Sequence, residues 1–244
     1  MPVNHQRTLL IVGDSISLGI AEIRGTDVTG RVERSYLDIL RTQLSDVTFI
    51  VDADIHRTTA DAVELMDPLL QEHHPDAVLV MLGGNDVDLL WKRFVISNGK
   101  IVQNRIRVDR YSAHLTKIAQ KIIAAGAWPI LTDMPNHALD IRGRYLSQLS
   151  GKDVSAMIQA LGGQPVSDQG LEVYRVAAAK VAEELECPFV QYGTSLSRVP
   201  LESVSGPDGV HPNDYAHGLI ADELVAVIQA VLEKSRSAQI GIKA

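Results

Sequence analysis

The chain has 244 residues, with 23 basic and 30 acidic side chains, a formal charge of −7 and 45% apolar residues. These values are ordinary for a soluble globular protein, and they exclude intrinsic disorder, collagen and coiled coil. The acidic balance predicts that no nucleic acid is a partner, because binding through phosphates needs a basic excess. The length predicts a single α/β domain over residues 1–244.

Membrane and export signals are weak in this sequence. No stretch reaches the roughly 18 consecutive apolar residues of a membrane span. The polar start Met1–Thr8 precedes only a short apolar run, Leu9–Val12, too brief for the core of a signal peptide. We therefore expect no membrane span and a cytoplasmic location, while a precursor trimmed of its signal would show the same sequence. The single cysteine, Cys187, is predicted to be a buried small hydrophobe.

Five short apolar runs alternate with amphipathic stretches along the chain. The runs lack the polar–apolar alternation of a half-exposed strand, so they predict strands buried on both faces, as in a parallel sheet. The predicted strands are Thr8–Val12, Val47–Val51, Ala77–Leu82, Trp128–Thr132 and Pro188–Tyr192. The predicted helices are Val32–Leu44, Thr59–Gln71, Asp109–Ala125, Leu171–Leu185 and Asn213–Lys234. This order predicts a three-layer α/β/α sandwich around a doubly wound parallel sheet.

Two segments interrupt the alternation. Residues 94–108 predict a hairpin, because Phe94–Ile96 and Lys100–Val102 flank the strong turn signal Asn98-Gly99. Residues 135–169 are long and polar, with several glycines. A connection of that length is predicted to be a lid, to carry short helices of its own, or to be a tolerated surface insertion.

Polar motifs follow three of the predicted strands. They are Gly13-Asp14-Ser15 after the first strand, Gly83-Gly84-Asn85-Asp86 after the third, and Asp208-Gly209-Val210-His211 beyond the last. Because ligands of such sheets bind at the carboxyl ends of the strands, we expect these motifs to meet there. Each motif alone is weak, since such residues also make ordinary turns. The three in this order predict a site for nucleophilic catalysis.

Together these motifs resemble the sequence blocks of the SGNH hydrolases, also called GDSL-type esterases and lipases. The resemblance implies a flavodoxin-like, five-stranded sheet and cleavage of a small-molecule acyl ester or thioester through a serine acyl-enzyme, without metal or organic cofactor. The second block departs from the family pattern Asn-x-x-x-x-Gly-x-Thr. When the chain is aligned on Thr59, the family glycine falls on Arg57.

The chemistry of acyl transfer assigns a role to each motif. Ser15 is predicted to attack the carbonyl carbon, with His211 as general base and then general acid. Asp208 is predicted to hold the imidazole tautomer and to stabilise the imidazolium. The predicted oxyanion donors are the backbone N–H groups of Ser15 and Arg57 and the side-chain amide of Asn85.

Further side chains near the strand ends are candidate substrate contacts, namely Arg57, His56 and His137. The Arg57 guanidinium could bind a carboxylate or phosphate of the substrate, since its planar fork matches either group. Alternatively, it pairs with a local carboxylate such as Asp54 or Asp61.

Three other functions stay open at this point. A carbohydrate O-deacetylase or an acyltransferase would use the same machinery, and an inactive binding module is conceivable because of the altered second block. Asp14 and Asp86 are predicted to order their loops. Asp52 and Asp54 are too few carboxylates for a metal site and are predicted to be solvated or to make a turn.

Overall fold

The computed structural model describes residues 6–24 and 27–241, with side chains as far as residue 235. The described residues form strands β1 Arg7–Gly13, β2 Ile20–Arg24, β3 Asp27–Arg31, β4 Val47–Ala53, β5 Ala77–Met81, β6 Trp128–Thr132 and β7 Phe189–Val190. Five of them form one parallel sheet in the order β4-β1-β5-β6-β7. The chain adds strands outward on both sides of β1, which confirms the predicted doubly wound, flavodoxin-like sheet.

Helices cover both faces of this sheet. They are α1 Tyr36–Gln43, α2 Thr59–His73, α3 Gly84–Val87, α4 Trp91–Ile96, α5 Val108–Ala124, α6 Leu139–Ser150, α7 Val154–Ala160, α8 Gly163–Glu184, α9 Tyr192–Leu196, α10 Leu201–Val204 and α11 Asp214–Gly241. Successive side chains of β1 point to opposite faces. Leu9 and Ile11 pack in the core with α1 and α11, whereas Leu10 and Val12 pack with α2, α5 and α8.

Capping side chains set where the first two large helices begin. Ser35 accepts a hydrogen bond from the Asp38 N–H and forms a capping box with it, so α1 starts at Tyr36 and not at the predicted Val32. Thr58 makes the same arrangement with Asp61 at the start of α2. This cap fixes the chain just after β4, where the altered second block lies.

Other elements also differ from the sequence prediction. The antiparallel pair β2–β3 was not predicted, since its strands are half-exposed and lack a long apolar run. The last strand is shorter than predicted, at two residues. Helix α8 begins at Gly163, eight residues before the predicted start at Leu171.

The predicted hairpin over residues 94–108 is wrong. Phe94–Ile96 belongs to α4, and the segment's β pairing is limited to one isolated bridge between Leu89 and Asn104 within the described residues. Asn98 and Gly99 do take the left-handed turn conformation, with φ of 51° and 79°, but this turn ends the helix. Helical spacing prevails because it buries Trp91 and Phe94 side by side.

Residues 135–169 contain α6, α7 and the first two turns of α8. With α4 they enclose a third apolar cluster, separate from the two that flank the sheet. Its buried members are Trp91, Phe94, Leu139, Val154 and Ile158. The expectation that this insertion carries short helices is therefore met, while a lid role stays a prediction.

One helix of the described chain is long and apolar enough to cross a membrane by length and composition, over Asp214–Ser235 of α11. Several of its apolar side chains, including Ile220, Leu224 and Ile228, are fully buried against the sheet. The core helix of a soluble protein passes the same test. The expected absence of a membrane span stays a prediction.

Candidate active site

Ser15 lies in a tight turn directly after β1. The Asp14 carboxylate accepts a hydrogen bond from the Ile16 N–H at 3.0 Å, which shapes the turn. A Cβ atom at Gly13 would clash with the Ser17 side chain, lying 2.6 Å from its Cβ, so the end of the strand favours glycine. Ser15 itself is 6% exposed. The sequence Gly-Asp-Ser thus holds one hydroxyl at the carboxyl edge of the sheet.

A continuous chain of hydrogen bonds joins Ser15, His211 and Asp208, which we call the triad. The His211 Nε2 lies 3.0 Å from Ser15 Oγ, and its Nδ1 lies 2.7 Å from Asp208 Oδ2. With Nδ1–H donating to the carboxylate, Nε2 is free to accept the hydroxyl proton. The structure therefore brings together the three residues that the sequence predicted, in the order that nucleophile activation needs.

The Asp208 carboxylate is buried and fully paired. Its Oδ1 accepts from the N–H groups of Val210 and His211 at 3.0 and 3.1 Å, and Oδ2 also accepts from the Ile23 N–H at 3.2 Å. Burial acts to raise the pKa of Asp208, but the hydrogen bond and charge of His211 and the backbone donors outweigh it and lower the pKa. The carboxylate is consequently ionised beside the imidazole.

Gly209 lets the loop of the triad pack against α6. It takes a left-handed φ of 72°, and a Cβ atom there would lie 2.5 Å from the backbone nitrogen of Arg142. The Ala138 N–H also donates to the Gly209 carbonyl at 2.8 Å. The insertion is thereby joined directly to the triad.

Asn85 and Asp14 form a pair beside the triad. The Asn85 side-chain amide donates to Asp14 Oδ2 at 3.1 Å. Burial raises the pKa of Asp14 to about 6, although the Ile16 N–H and the charge of His211 partly offset it. Asp86 is likewise buried and accepts from the N–H and hydroxyl of Thr59, with Oγ1–Oδ1 at 2.5 Å. Both aspartates order their loops, as the sequence predicted.

Arg57 does not lie where the sequence alignment on Thr59 placed it. Its guanidinium, 9% exposed, donates to the carbonyl of Asp52 at 2.8 Å and pairs with the Asp52 carboxylate. Its backbone N–H donates to the Asp54 carbonyl at 3.4 Å. The predicted alternative, a local ion pair, is thus the one observed, but with Asp52 and not with Asp54 or Asp61.

His56 takes the position that the alignment gave to Arg57. Its φ of 65° is left-handed, a conformation that favours glycine, and it lines the same cleft as Ser15 and Asn85. Among the described residues, no acceptor lies within hydrogen-bonding distance of the backbone N–H of His56 or of Ser15. His56 therefore has the left-handed backbone and the unpaired N–H that a glycine donor of the second block would have, and Thr58 caps α2 two residues later.

The triad opens into a cleft of about 860 Å³. Its lining includes the predicted substrate contacts His56 and His137, but not Arg57. Burial lowers the pKa of both histidines. His137 Nδ1 lies 3.7 Å from Asp88 Oδ1, the oxygen that also accepts from the Trp91 indole at 2.6 Å. These groups form a polar side of the cleft.

A smaller apolar cavity of about 300 Å³ adjoins the cleft. The two share several lining residues, among them Leu89, Trp91 and Pro135. Phe94, Leu139 and Ile158 are among the side chains that complete the cavity. The cleft therefore continues into an apolar recess.

Residues 88–106 and 137–170, which we call the cleft wall, contribute functional candidates that the sequence reasoning missed. They include Asp88, Arg105, Arg142 and Tyr145, all of which line the cleft. No motif marks them, because their positions depend on how these two segments fold over the strand ends. Within residues 6–24 and 27–241, no three His, Cys, Asp or Glu side chains form a cluster able to hold a metal ion.

A flavodoxin-like α/β/α sandwich with a serine, a histidine and an aspartate hydrogen-bonded at its strand ends is the arrangement of the SGNH hydrolases. Comparison with known proteins agrees. The GDSL-like lipase/acylhydrolase family matches residues 11–219. The chain belongs to this family, and it is a carboxylic ester hydrolase of the GDSL/SGNH type.

Solved structures with the same fold are distant in sequence. A lipase/acylhydrolase from Enterococcus faecalis has a TM-score of 0.67 at 17% identity, covering 92% of this chain and 96% of its own. The esterase EstA from Pseudoalteromonas sp. has a TM-score of 0.61 at 19% identity, covering 93% and 99%. A catalytic mutant of Axe2, an acetylxylan esterase from Geobacillus stearothermophilus, has a TM-score of 0.64 at 20% identity, covering 93% and 95%. A search of curated proteins found no match.

Proposed function

We propose that this protein hydrolyses carboxylic esters or thioesters of small molecules through an acyl-enzyme on Ser15. The main support is the unbroken chain of hydrogen bonds from Ser15 Oγ through His211 to Asp208, at 3.0 and 2.7 Å. All three residues line the large cleft. A serine hydroxyl becomes a useful nucleophile only when a base takes its proton, and His211 is placed for that task.

The reaction proceeds in two acyl transfers. Ser15 Oγ attacks the carbonyl carbon while its proton moves to His211 Nε2, and Asp208 stabilises the resulting imidazolium. Collapse of the tetrahedral intermediate breaks the bond to the leaving group, which takes the proton from His211. Water then attacks the acyl-serine, again giving its proton to His211, and the acid leaves as Ser15 is reprotonated.

The oxyanion of each tetrahedral intermediate needs fixed donors. We assign this role to the N–H groups of Ser15 and His56 and to the side-chain amide of Asn85, all of which line the cleft. The two backbone donors are unpaired within the described chain, so they are available to the oxygen. Each donor of this kind typically contributes about 2.7–4 kcal/mol to lowering the barrier.

A fluorophosphonate probe tests the nucleophile directly. It should attach to one residue, found by mass spectrometry in the peptide that carries Ser15, and Ser15→Ala should abolish the label. Ser17→Ala is the matched control, because the Ser17 hydroxyl is bonded to Tyr36 and not to His211. An unlabelled wild-type protein would favour the inactive binding module.

A second candidate is a carbohydrate O-deacetylase on the same triad. The polar side of the cleft around His56, His137 and Arg142 favours it, and one structural neighbour is an acetylxylan esterase. The apolar cavity favours longer acyl chains instead. Rates on p-nitrophenyl esters from acetate to palmitate, beside acetylated xylo-oligosaccharides, separate the two. Transfer to added alcohols in the same assays detects an acyltransferase.

A further inference from the structure

Two arginines of the cleft wall, Arg105 and Arg142, have guanidinium nitrogens without partners. The Nε atoms of both are buried from solvent, and neither has a hydrogen-bond acceptor among the described residues. Their remaining contacts are long. Arg105 Nη2 lies 3.9 Å from Asp88 Oδ2, and Arg142 Nη1 donates to the Asp208 carbonyl at 3.4 Å. Buried donors of this kind are normally paired, so each unpaired N–H needs an explanation.

The surroundings hold the Arg142 guanidinium in place. Its central carbon lies 5.5 Å from the centroid of the Trp91 ring and 5.9 Å from that of Tyr145. Stacking on aromatic rings orients the plane of a guanidinium and leaves its N–H edge for a ligand. Tyr145 is fixed in turn, because its hydroxyl donates to the Ile23 carbonyl at 2.7 Å.

The two charges face the same space. Both line the cleft that holds Ser15, and after burial the positive charges of Arg105 and Arg142 both lower the pKa of His56. Lys92 and Arg93 lie on the rim of the same cleft. The cleft lining therefore carries four basic side chains beside three aspartates, in a chain whose formal charge is −7.

Among the aspartates that line the cleft, Asp88 makes a long ion pair with Arg105, and within the described residues none pairs with Arg142. Asp14 accepts from Ile16 and Asn85, and Asp208 is paired with His211. Asp88 accepts from the Trp91 indole and approaches Arg105 at 3.9 Å. A planar guanidinium with a free edge binds a carboxylate or a phosphate through two parallel hydrogen bonds.

We propose that Arg105 and Arg142 form a subsite for an anionic group of the ester substrate, either a carboxylate or a phosphate. This inference rests on the proposed function, because it concerns the substrate of the same cleft. One of the two alternatives that the sequence left open at Arg57 was recognition of a substrate anion, but Arg57 pairs with Asp52 and does not line the cleft. In this proposal, two arginines of the cleft wall bind the anion in place of Arg57.

Matched ester pairs test the subsite. p-Nitrophenyl butyrate and p-nitrophenyl hemisuccinate differ by a carboxylate on the acyl part. Phenyl acetate and 4-acetoxyphenyl phosphate differ by a phosphate on the leaving group. For each pair, the measured quantity is the ratio of kcat/KM for the anionic ester to kcat/KM for the neutral one. This ratio cancels any general loss of activity.

Charge-removing variants and nearby controls complete the experiment. Arg105→Gln and Arg142→Gln should each lower the ratio by about tenfold or more in at least one pair, which converts to about 1.4 kcal/mol. The pair affected tells whether the anion lies on the acyl or the alcohol part. Arg107→Gln and Arg144→Gln remove the same charge two residues away, outside the cleft, and should leave the ratio unchanged.

The outcomes separate this inference from the proposed function. Unchanged ratios in Arg105→Gln and Arg142→Gln, with neutral esters still cleaved, would overturn the subsite alone. An equal fall of the ratio in the control variants would also overturn the subsite, because the fall would then reflect the net charge of the protein and not a local contact. Absence of cleavage of every ester, together with no fluorophosphonate label on Ser15, would instead overturn the proposed function. Competitive inhibition of neutral-ester hydrolysis by phenylphosphonate, weakened about tenfold in either variant, gives a binding readout of the subsite.

Discussion

The strand-end turns and the cleft wall meet at the same cleft but differ in how their polar groups are paired. In the strand-end turns, residues 13–17, 83–86 and 208–211, the carboxylates of Asp14, Asp86 and Asp208 each accept hydrogen bonds from fixed donors. In the cleft wall, the Nε atoms of Arg105 and Arg142 are buried and unpaired.

This contrast indicates that the residues of the reaction and the residues proposed to bind the substrate lie in different parts of the fold. The carboxylates of the strand-end turns and the His211 imidazole are paired inside the protein, so they keep their positions without a ligand. Groups that select the substrate keep unpaired donors, which a ligand completes. The packing follows the same division, since the cleft wall has its own apolar cluster apart from the two on the sheet.

The largest expected effect comes from the strand-end turns. Ser15→Ala should lower kcat by about 10⁴-fold or more, because triad members act as a unit and loss of the nucleophile removes covalent catalysis. Circular dichroism and the denaturation midpoint should match wild type, since alanine fits the turn. Retention of more than about a hundredth of the wild-type kcat would contradict the assignment of Ser15.

The cleft wall should respond through stability. Phe94→Ala should destabilise the protein by about 3–5 kcal/mol, because it empties the centre of the apolar cluster among α4, α6 and α7. Hydrogen exchange should accelerate first in those helices. Ile96→Ala, on the same helix but 67% exposed, should cost less than about 0.5 kcal/mol. Uniform loss of protection across the sheet would show that the cleft wall is not separately packed.

Asn85 tests whether the strand-end turns act on the transition state. Asn85→Ala should lower kcat by about 10²–10³-fold with little change in KM, since the oxyanion forms only after attack. Steady-state kinetics on a neutral ester measure both constants. A higher KM at unchanged kcat would make Asn85 a residue that binds the ground state.

Glycine substitutions compare the two candidates for the family glycine. Arg57→Gly should destabilise the protein by about 1–3 kcal/mol, because it removes buried hydrogen bonds to Asp52. His56→Gly should change stability by less than about 1 kcal/mol. Relief of the left-handed φ offsets the greater entropy that glycine has in the unfolded chain. Denaturation by urea ranks them, and the opposite ranking would restore Arg57 as the glycine equivalent.

The smallest expected effect is the pH dependence that Asp86 contributes. Burial raises its pKa to about 7 against the partial opposing effect of Thr59. The folded state therefore keeps the proton to higher pH than the unfolded chain, and stability falls as pH rises towards 7. Asp86→Asn removes this pH-dependent loss of stability. The free energy of unfolding of the variant minus that of wild type should therefore rise by about 1.4 kcal/mol from pH 5 to pH 6.

Urea denaturation at pH 5, 6 and 8 measures that difference. His217, whose pKa burial lowers to about 4, changes stability in the opposite direction over part of this range. Its contribution is common to both proteins and cancels in the difference. Asp222→Asn, on the exposed side of α11, is the control for replacing an aspartate by asparagine. A difference independent of pH would place the Asp86 carboxyl in its ordinary range.

Much of the fold and the triad could be read from the sequence, because both depend on local patterns. Uninterrupted apolar runs predicted buried parallel strands, and the residues after those runs predicted Ser15, Asn85, Asp208 and His211. The carboxyl ends of parallel strands share one edge, so short motifs far apart in the chain must meet there. The structure places the Ser15, His211 and Asp208 side chains in contact at that edge.

Tertiary structure alone decided the rest. Residues 94–98 satisfy both a hairpin and a helix pattern, and burial of Phe94 against α6 and α7 selected the helix. Arg57 and His56 are neighbours in sequence, yet their side chains lie in different places. The cap at Thr58 and the left-handed φ at His56 direct Arg57 to Asp52 and leave His56 at the cleft. Arg105 and Arg142 belong to no motif, because only the folding of two separate segments over the strand ends brings both to the cleft that holds Ser15.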